Sequence, residues 1–121
     1  MPVSVTFSPP STFVLRSSGK VSLEDGRGAL EEVRNDLRLR EGAALLNEAV
    51  DVSEVPSIAE LCVLAADLVP LVRHGLRRIA VVVPEKLVGV ARTFAAFAWV
   101  MNANVRVFSR LADAQRWLAP Q

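Results

Sequence analysis

The stretch Arg78-Ile79-Ala80-Val81-Val82-Val83-Pro84 decides the fold. Its apolar run, closed by a proline, has no polar side. It therefore reads as a strand buried on both faces, the pattern of a parallel sheet covered by helices. Helical patterns flank it. Upstream, Ser57 and Glu60 after Pro56 form a capping box, in which hydroxyl and carboxylate each take up an orphan amide of a helix start. Ile58, Leu61, Cys62, Ala65, Leu68, Val69 and Val72 follow at i, i+3, i+4 spacing, so that face is expected to be core, with Cys62 a small buried hydrophobe. Pro70 is expected to kink or split this helix, and Gly75 to end it. Arg73 and His74 then fall in the last turn, where cations suit the helix dipole. Downstream, Glu85–Met101 is a helix apolar nearly all round, hence wholly buried or set against a partner. Val105–Phe108 is a last strand. Arg110–Leu118 is a short helix with Leu111, Ala114, Trp117 and Leu118 on one face.

Further toward the N-terminus, Ala43–Val52 fits a buried strand or a short helix, and is assigned as a strand because a helix on each side makes βαβ order. Ser22 and Asp25 open another helix, expected to run to about Arg40 with Leu23, Leu30, Val33 and Leu37 on its buried stripe. Gly26 and Gly28 weaken its first turns by roughly 1 kcal/mol each relative to alanine. Val3–Phe7 and Thr12–Arg16 alternate as half-buried strands around the turn Ser8-Pro9-Pro10-Ser11, an antiparallel pair closed by Ser17-Ser18-Gly19-Lys20. The order is ββαβαβαβα. The fold class is α/β, a five-stranded mixed sheet with four helices and right-handed crossovers, in a single domain over residues 1–121.

Composition narrows the function. The chain has 121 residues, enough to bury a core without disulfide or metal. Cys62 and His74 are the only residues of their kinds, so a paired-histidine or cysteine-based metal site is not expected, nor an internal disulfide. Lys+Arg is 14 and Asp+Glu 13, a balance that argues against a dedicated nucleic-acid binder. The longest apolar candidate, Thr93–Asn104, is 12 residues, short of the ~20 of a membrane span. Met1-Pro2-Val3-Ser4 shows no signal-peptide pattern, so a reduced cytoplasmic protein is the expectation. Mean hydropathy is +0.32, a surplus of apolar surface that points to a homodimer.

Three ordered stretches resemble the SpoIIAA-like family, relatives of STAS domains. Gly19-Lys20-Val21-Ser22-Leu23-Glu24-Asp25 is similar to the turn that opens the family's first helix. Arg78–Pro84 with Val88-Gly89-Val90-Ala91-Arg92-Thr93-Phe94 is similar to its A-V-V-x-P strand and G-x-A-R-x-F helix. Val105-Arg106-Val107-Phe108 with Ala114-Gln115-Arg116-Trp117-Leu118 is similar to its ending. The resemblance implies a bacterial, non-enzymatic module that binds proteins, nucleotides or lipids. In anti-sigma antagonists of the wider group, a serine in a D-S-S-G-like motif at the start of the second helix is phosphorylated. The matching place here is Pro56-Ser57-Ile58-Ala59, with Ser57 but without the glycine and second serine.

Ligands of open α/β sheets bind beyond the carboxyl ends of the strands. That edge gathers Asp51, Ser53 and Ser57, then Glu85 and Lys86, then Ser109 and Arg110. Asp51, Ser53, Ser57, Lys86 and Arg92 are the candidate ligand-binding residues; the helix N-termini at that edge suit a small anion, with Lys86 supplying charge. For four of them a simpler role competes: Ser57 as N-cap, Asp51 as turn cap, Lys86 as a solvated cation and Arg92 as an exposed or paired surface arginine. Val90, Phe94, Phe97 and Trp99 on the apolar helix are the candidate interface. No catalytic residue, metal or cofactor is assigned, because capping occupies both Ser57 and His74 and leaves no nucleophile–base pair. The expected function is a non-catalytic regulatory or protein-interaction module, homodimeric and without a membrane span. The alternatives are a small-ligand or lipid carrier, in which the apolar helix walls a pocket, and a phosphoswitch through Ser57.

Overall fold

The computed structural model describes residues 2–119; Met1, Pro120 and Gln121, the ends of the single domain expected over 1–121, lie outside the described residues. Strands β1 (Val3–Ser8), β2 (Thr12–Lys20), β3 (Ala44–Glu54), β4 (Arg78–Val82) and β5 (Val105–Phe108) form one sheet in sequence order. β1 and β2 are antiparallel, and every later neighbour is parallel. Helix α1 (Leu23–Arg34) joins β2 to β3. Helices α2 (Ile58–Asp67) and α3 (Val69–Arg73) join β3 to β4. Helix α4 (Val88–Val100) joins β4 to β5, and α5 (Leu111–Leu118) follows. The sheet advances one strand at a time in one direction. Right-handed crossovers then place every connecting helix on the same face. Buried residues of α1 to α4 accordingly share one cluster with Phe13, Leu15, Leu45, Ile79 and Val81. The opposite face, with Val14, Leu46, Ala80 and Val82, is covered by α5 through Ala114 and Leu118.

Strand β4 is buried on both faces, as its composition predicts, and lies between β3 and β5. The two capping boxes form as spaced. Ser22 accepts from the Asp25 N–H and Ser57 from the Glu60 N–H, and each carboxylate accepts the serine N–H in return. That donation from Ser22 lowers the Asp25 pKa. Pro70 breaks the second helix in two at Leu68, its ring occupying the first turn of α3 where no amide partner is needed. His74 caps α3, its Nδ1 at 2.7 Å from the Pro70 carbonyl, to which it donates.

Five expectations are corrected. Helix α1 ends at Arg34 with Asn35 as C-cap, not near Arg40. Leu37 is 98% exposed, and Leu39 enters the core in its place. The reason is local: Asp36 accepts from the backbone and side chain of Arg38 and holds a turn instead of another helical turn. Ser17–Lys20 is strand, not turn, because it continues the parallel ladder with β3 through Ser18↔Asp51 and Lys20↔Glu54. Cys62 is exposed. The buried stripe of α2 is Leu61, Leu64 and Ala65, continued by Leu68 and Leu71, which leaves Ile58, Cys62 and Val63 outward. The apolar helix begins with a 3-10 turn over Glu85–Leu87 and buries only Ala91 and Ala98 fully.

Helix α5 is fastened by two consecutive arginines. Arg77 donates to the Leu118 carbonyl and, at 3.1 Å, to that of Gly42. Arg78 donates to the Trp117 carbonyl. These satisfy acceptors orphaned at the helix end. Arg78 and Arg106 also lie over the Trp117 ring, at 5.1 and 5.5 Å from its centroid.

Gly75 has φ +111°, and a Cβ there would lie 2.4 Å from the Glu41 Cα and N. Gly75→Ala is expected to lower stability by roughly 1–3 kcal/mol in urea unfolding. Gly28→Ala, with open space around it, is expected to raise stability by roughly 0.5–1 kcal/mol. A second expectation concerns pH. The Arg38 side chain, then its backbone N–H, lowers the Asp36 pKa from 3.8 to about 2. The contribution of this turn to stability is therefore complete above 3.8 and lost as pH falls through about 2. An NMR titration of the Asp36 carboxyl should show its midpoint rising in Arg38→Ala; an unchanged midpoint refutes the pairing.

Candidate functional site

A half-open apolar cavity of about 140 Å³ lies between the sheet and helices α1, α2 and α4. Leu15, Leu45, Ile79 and Val81 line it from β2, β3 and β4. Leu30, Leu61, Leu64 and Ala91 line it from the helices. The lining continues to Val52, Val55 and Val83, so the cavity extends to the carboxyl ends of β3 and β4. This is the edge at which open parallel sheets take ligands. Gly26 contributes to the space, since a Cβ there would meet Leu64 Cδ2 at 3.0 Å.

The lining carries no charged side chain, and its polar side chains are Ser17 and Asn47. They sit on adjacent strands in the register that also gives Leu15 and Leu45. Ser17 Oγ donates to Asn47 Oδ1 at 3.1 Å. Ser17 is 8% exposed, the one buried polar residue among the described residues, and Asn47 is half-buried. Sequence reading missed both. The sequence pattern puts Ser17 in a turn and gives Asn47, inside the strand expected over Ala43–Val52, no role. The signal was a polar residue recurring at the buried register of two neighbouring strands, Phe13-Leu15-Ser17 and Leu45-Asn47-Ala49.

The candidate ligand-binding residues all lie at the surface. Asp51 and Ser53 are exposed on β3, on either side of buried Val52. Ser57 is exposed at the start of α2, its hydroxyl accepting from the Glu60 N–H at 3.2 Å. Lys86 is exposed in the 3-10 turn, and Arg92 on the outer side of α4. Val52, Pro56 and Leu87, their chain neighbours, line the cavity, so Asp51, Ser53, Ser57 and Lys86 flank its lining without entering it. The candidate interface divides. Val90 and Phe94 line the cavity, and Phe97 packs against the core. Trp99 is 72% exposed, next to Val100 at 80%.

Among the described residues, no cluster of three or more His, Cys, Asp or Glu is placed to hold a metal ion, and no helix is long and apolar enough to cross a membrane. A solved structure with the same fold is that of an uncharacterised protein of the DUF3478 family, with a SpoIIAA-like fold, from Shewanella loihica PV-4. The TM-score is 0.58 at 19% sequence identity, covering 97% of this chain and 92% of that one. At that identity the likeness carries the fold. No curated protein matches the sequence. The family model described as SpoIIAA-like matches residues 12–119, from the start of β2 to just past α5. The chain belongs to the SpoIIAA-like family.

Proposed function

We propose that this chain is a non-catalytic binding module that holds a small, predominantly apolar ligand between its sheet and helices α1, α2 and α4. The observation that carries this reading is the apolar cavity reaching the carboxyl ends of β3 and β4. Its lining is built from side chains that gain by leaving water, and it is concave and half-open, the usual form of a small-molecule site. At about 140 Å³ it resembles in size an engineered cavity of about 150 Å³ that stays dry and binds benzene. A ligand with a ring or a short branched chain fits it. The neutral fluorescent probe N-phenyl-1-naphthylamine should brighten on mixing with the protein, its naphthyl ring entering and the rest at the opening. Val90→Trp, which carries an indole into the half-open space, should weaken that binding by about tenfold. A wild-type protein that leaves the probe dark overturns the reading, as does a Val90→Trp variant that binds equally well.

A second reading, self-association as a homodimer, is favoured by Trp99 and Val100, two large apolar side chains exposed side by side at the end of α4. Exposed aromatics of this kind are enriched where proteins meet. Trp99→Glu should convert a dimer to a monomer in sedimentation velocity, with unchanged circular dichroism. A monomeric wild type, or a variant of the same mass as a dimeric wild type, counts against it. A regulatory protein partner fits the same surface and the wider habit of STAS-type domains. The two readings use different sides of α4 and do not compete.

A further inference from the structure

The cavity's polar pair has an unused half. Ser17 Oγ and Asn47 Oδ1 bond to each other, the one side-chain hydrogen bond of Asn47 among the described residues; no buried side-chain nitrogen or oxygen there lacks a partner, so the amide nitrogen of this lining residue is open to approach. The pair therefore presents to the cavity donors from the Asn47 amide and an acceptor from the Ser17 oxygen. Exchanging the amide's oxygen and nitrogen leaves the offer alike, with one donor and one acceptor still free. Nothing in the lining bears charge. A carboxylate or ammonium placed there would lose its water without gaining a counter-ion, which costs far more than a neutral polar group that is hydrogen-bonded.

We propose that the ligand of this pocket is an uncharged apolar molecule bearing a hydroxyl group, which both donates to and accepts from the Ser17–Asn47 pair. The proposal rests on the apolar-ligand reading above and names the chemical class within it. A hydroxyl is the smallest group that satisfies a donor and an acceptor together. The rest of the lining asks only for apolar surface. The class is thus an aromatic or alicyclic alcohol, not a fatty acid, an amine or a plain hydrocarbon. The polar pair fixes which end of the molecule enters and in what orientation, as the few polar groups of such sites do.

The test is a matched series at pH 7, titrated calorimetrically and followed by amide chemical shifts: toluene, 4-methylphenol and 4-methylbenzoate. 4-Methylphenol should bind the wild-type protein at least about tenfold more tightly than 4-methylbenzoate. Asn47→Leu should weaken 4-methylphenol by about tenfold and leave toluene unweakened. Equal binding of 4-methylphenol and 4-methylbenzoate to the wild type overturns the proposal, and that comparison needs no variant to fold. So does a folded Asn47→Leu variant that keeps full affinity for 4-methylphenol. If neither toluene nor 4-methylphenol binds the wild type, the pocket itself is not a ligand site, and both readings fall together.

Discussion

The burial of β4 on both faces is the constraint from which the other layers follow. Ile79 and Val81 enter the cluster under α1 to α4, while Ala80 and Val82 enter the one under α5. Such a strand is satisfied only at the centre of a sheet with helices above and below. The strand order then settles how the helices are shared out. Because the strands follow one another in sequence, every right-handed crossover returns over the same face. One side receives four helical segments and a deep core, and the other receives α5 alone. The cavity lies on the crowded side, where three helices meet strands at the sheet's carboxyl edge.

Much of this was legible in the sequence because its signals were local. The capping serines, the helix-splitting Pro70 and the apolar run at 79–83 act through neighbours within a turn. β5 matches its expected bounds, Val105–Phe108. What was not legible depended on distant partners. Ser17–Lys20 has the composition of a turn, yet it is strand because β3 runs alongside and accepts it in the ladder. Helical spacing fixed the period of α2 but not its phase, so Cys62 and Leu64 exchanged places between core and surface. Leu37 fits the stripe of α1 only if the helix continues, and the Asp36–Arg38 turn ends it first.

The site was half legible. The sequence pointed to the carboxyl edge of the sheet and to the apolar helix as wall, and the lined space lies there. Its polar content was sought among charged and capping residues, which stand at the surface. The polar groups inside are two uncharged side chains whose meaning depends on β2 and β3 being paired in parallel with Leu15 beside Asn47. A single strand pattern does not show that two such residues share a wall. An apolar interior with one hydrogen-bonded pair sets orientation at little cost, since Ser17 Oγ and Asn47 Oδ1 already satisfy each other.

The clamp on α5 bears on the history of each molecule as it is made. Arg77 and Arg78 stand at the entrance to β4, but the carbonyls they hold belong to Trp117 and Leu118. The side of the sheet formed by Val14, Leu46, Ala80 and Val82 therefore stays uncovered during synthesis until residues 111–118 have emerged. A ribosome that pauses earlier holds a nascent chain with one finished layer and one bare apolar sheet, the kind of surface that chaperones engage.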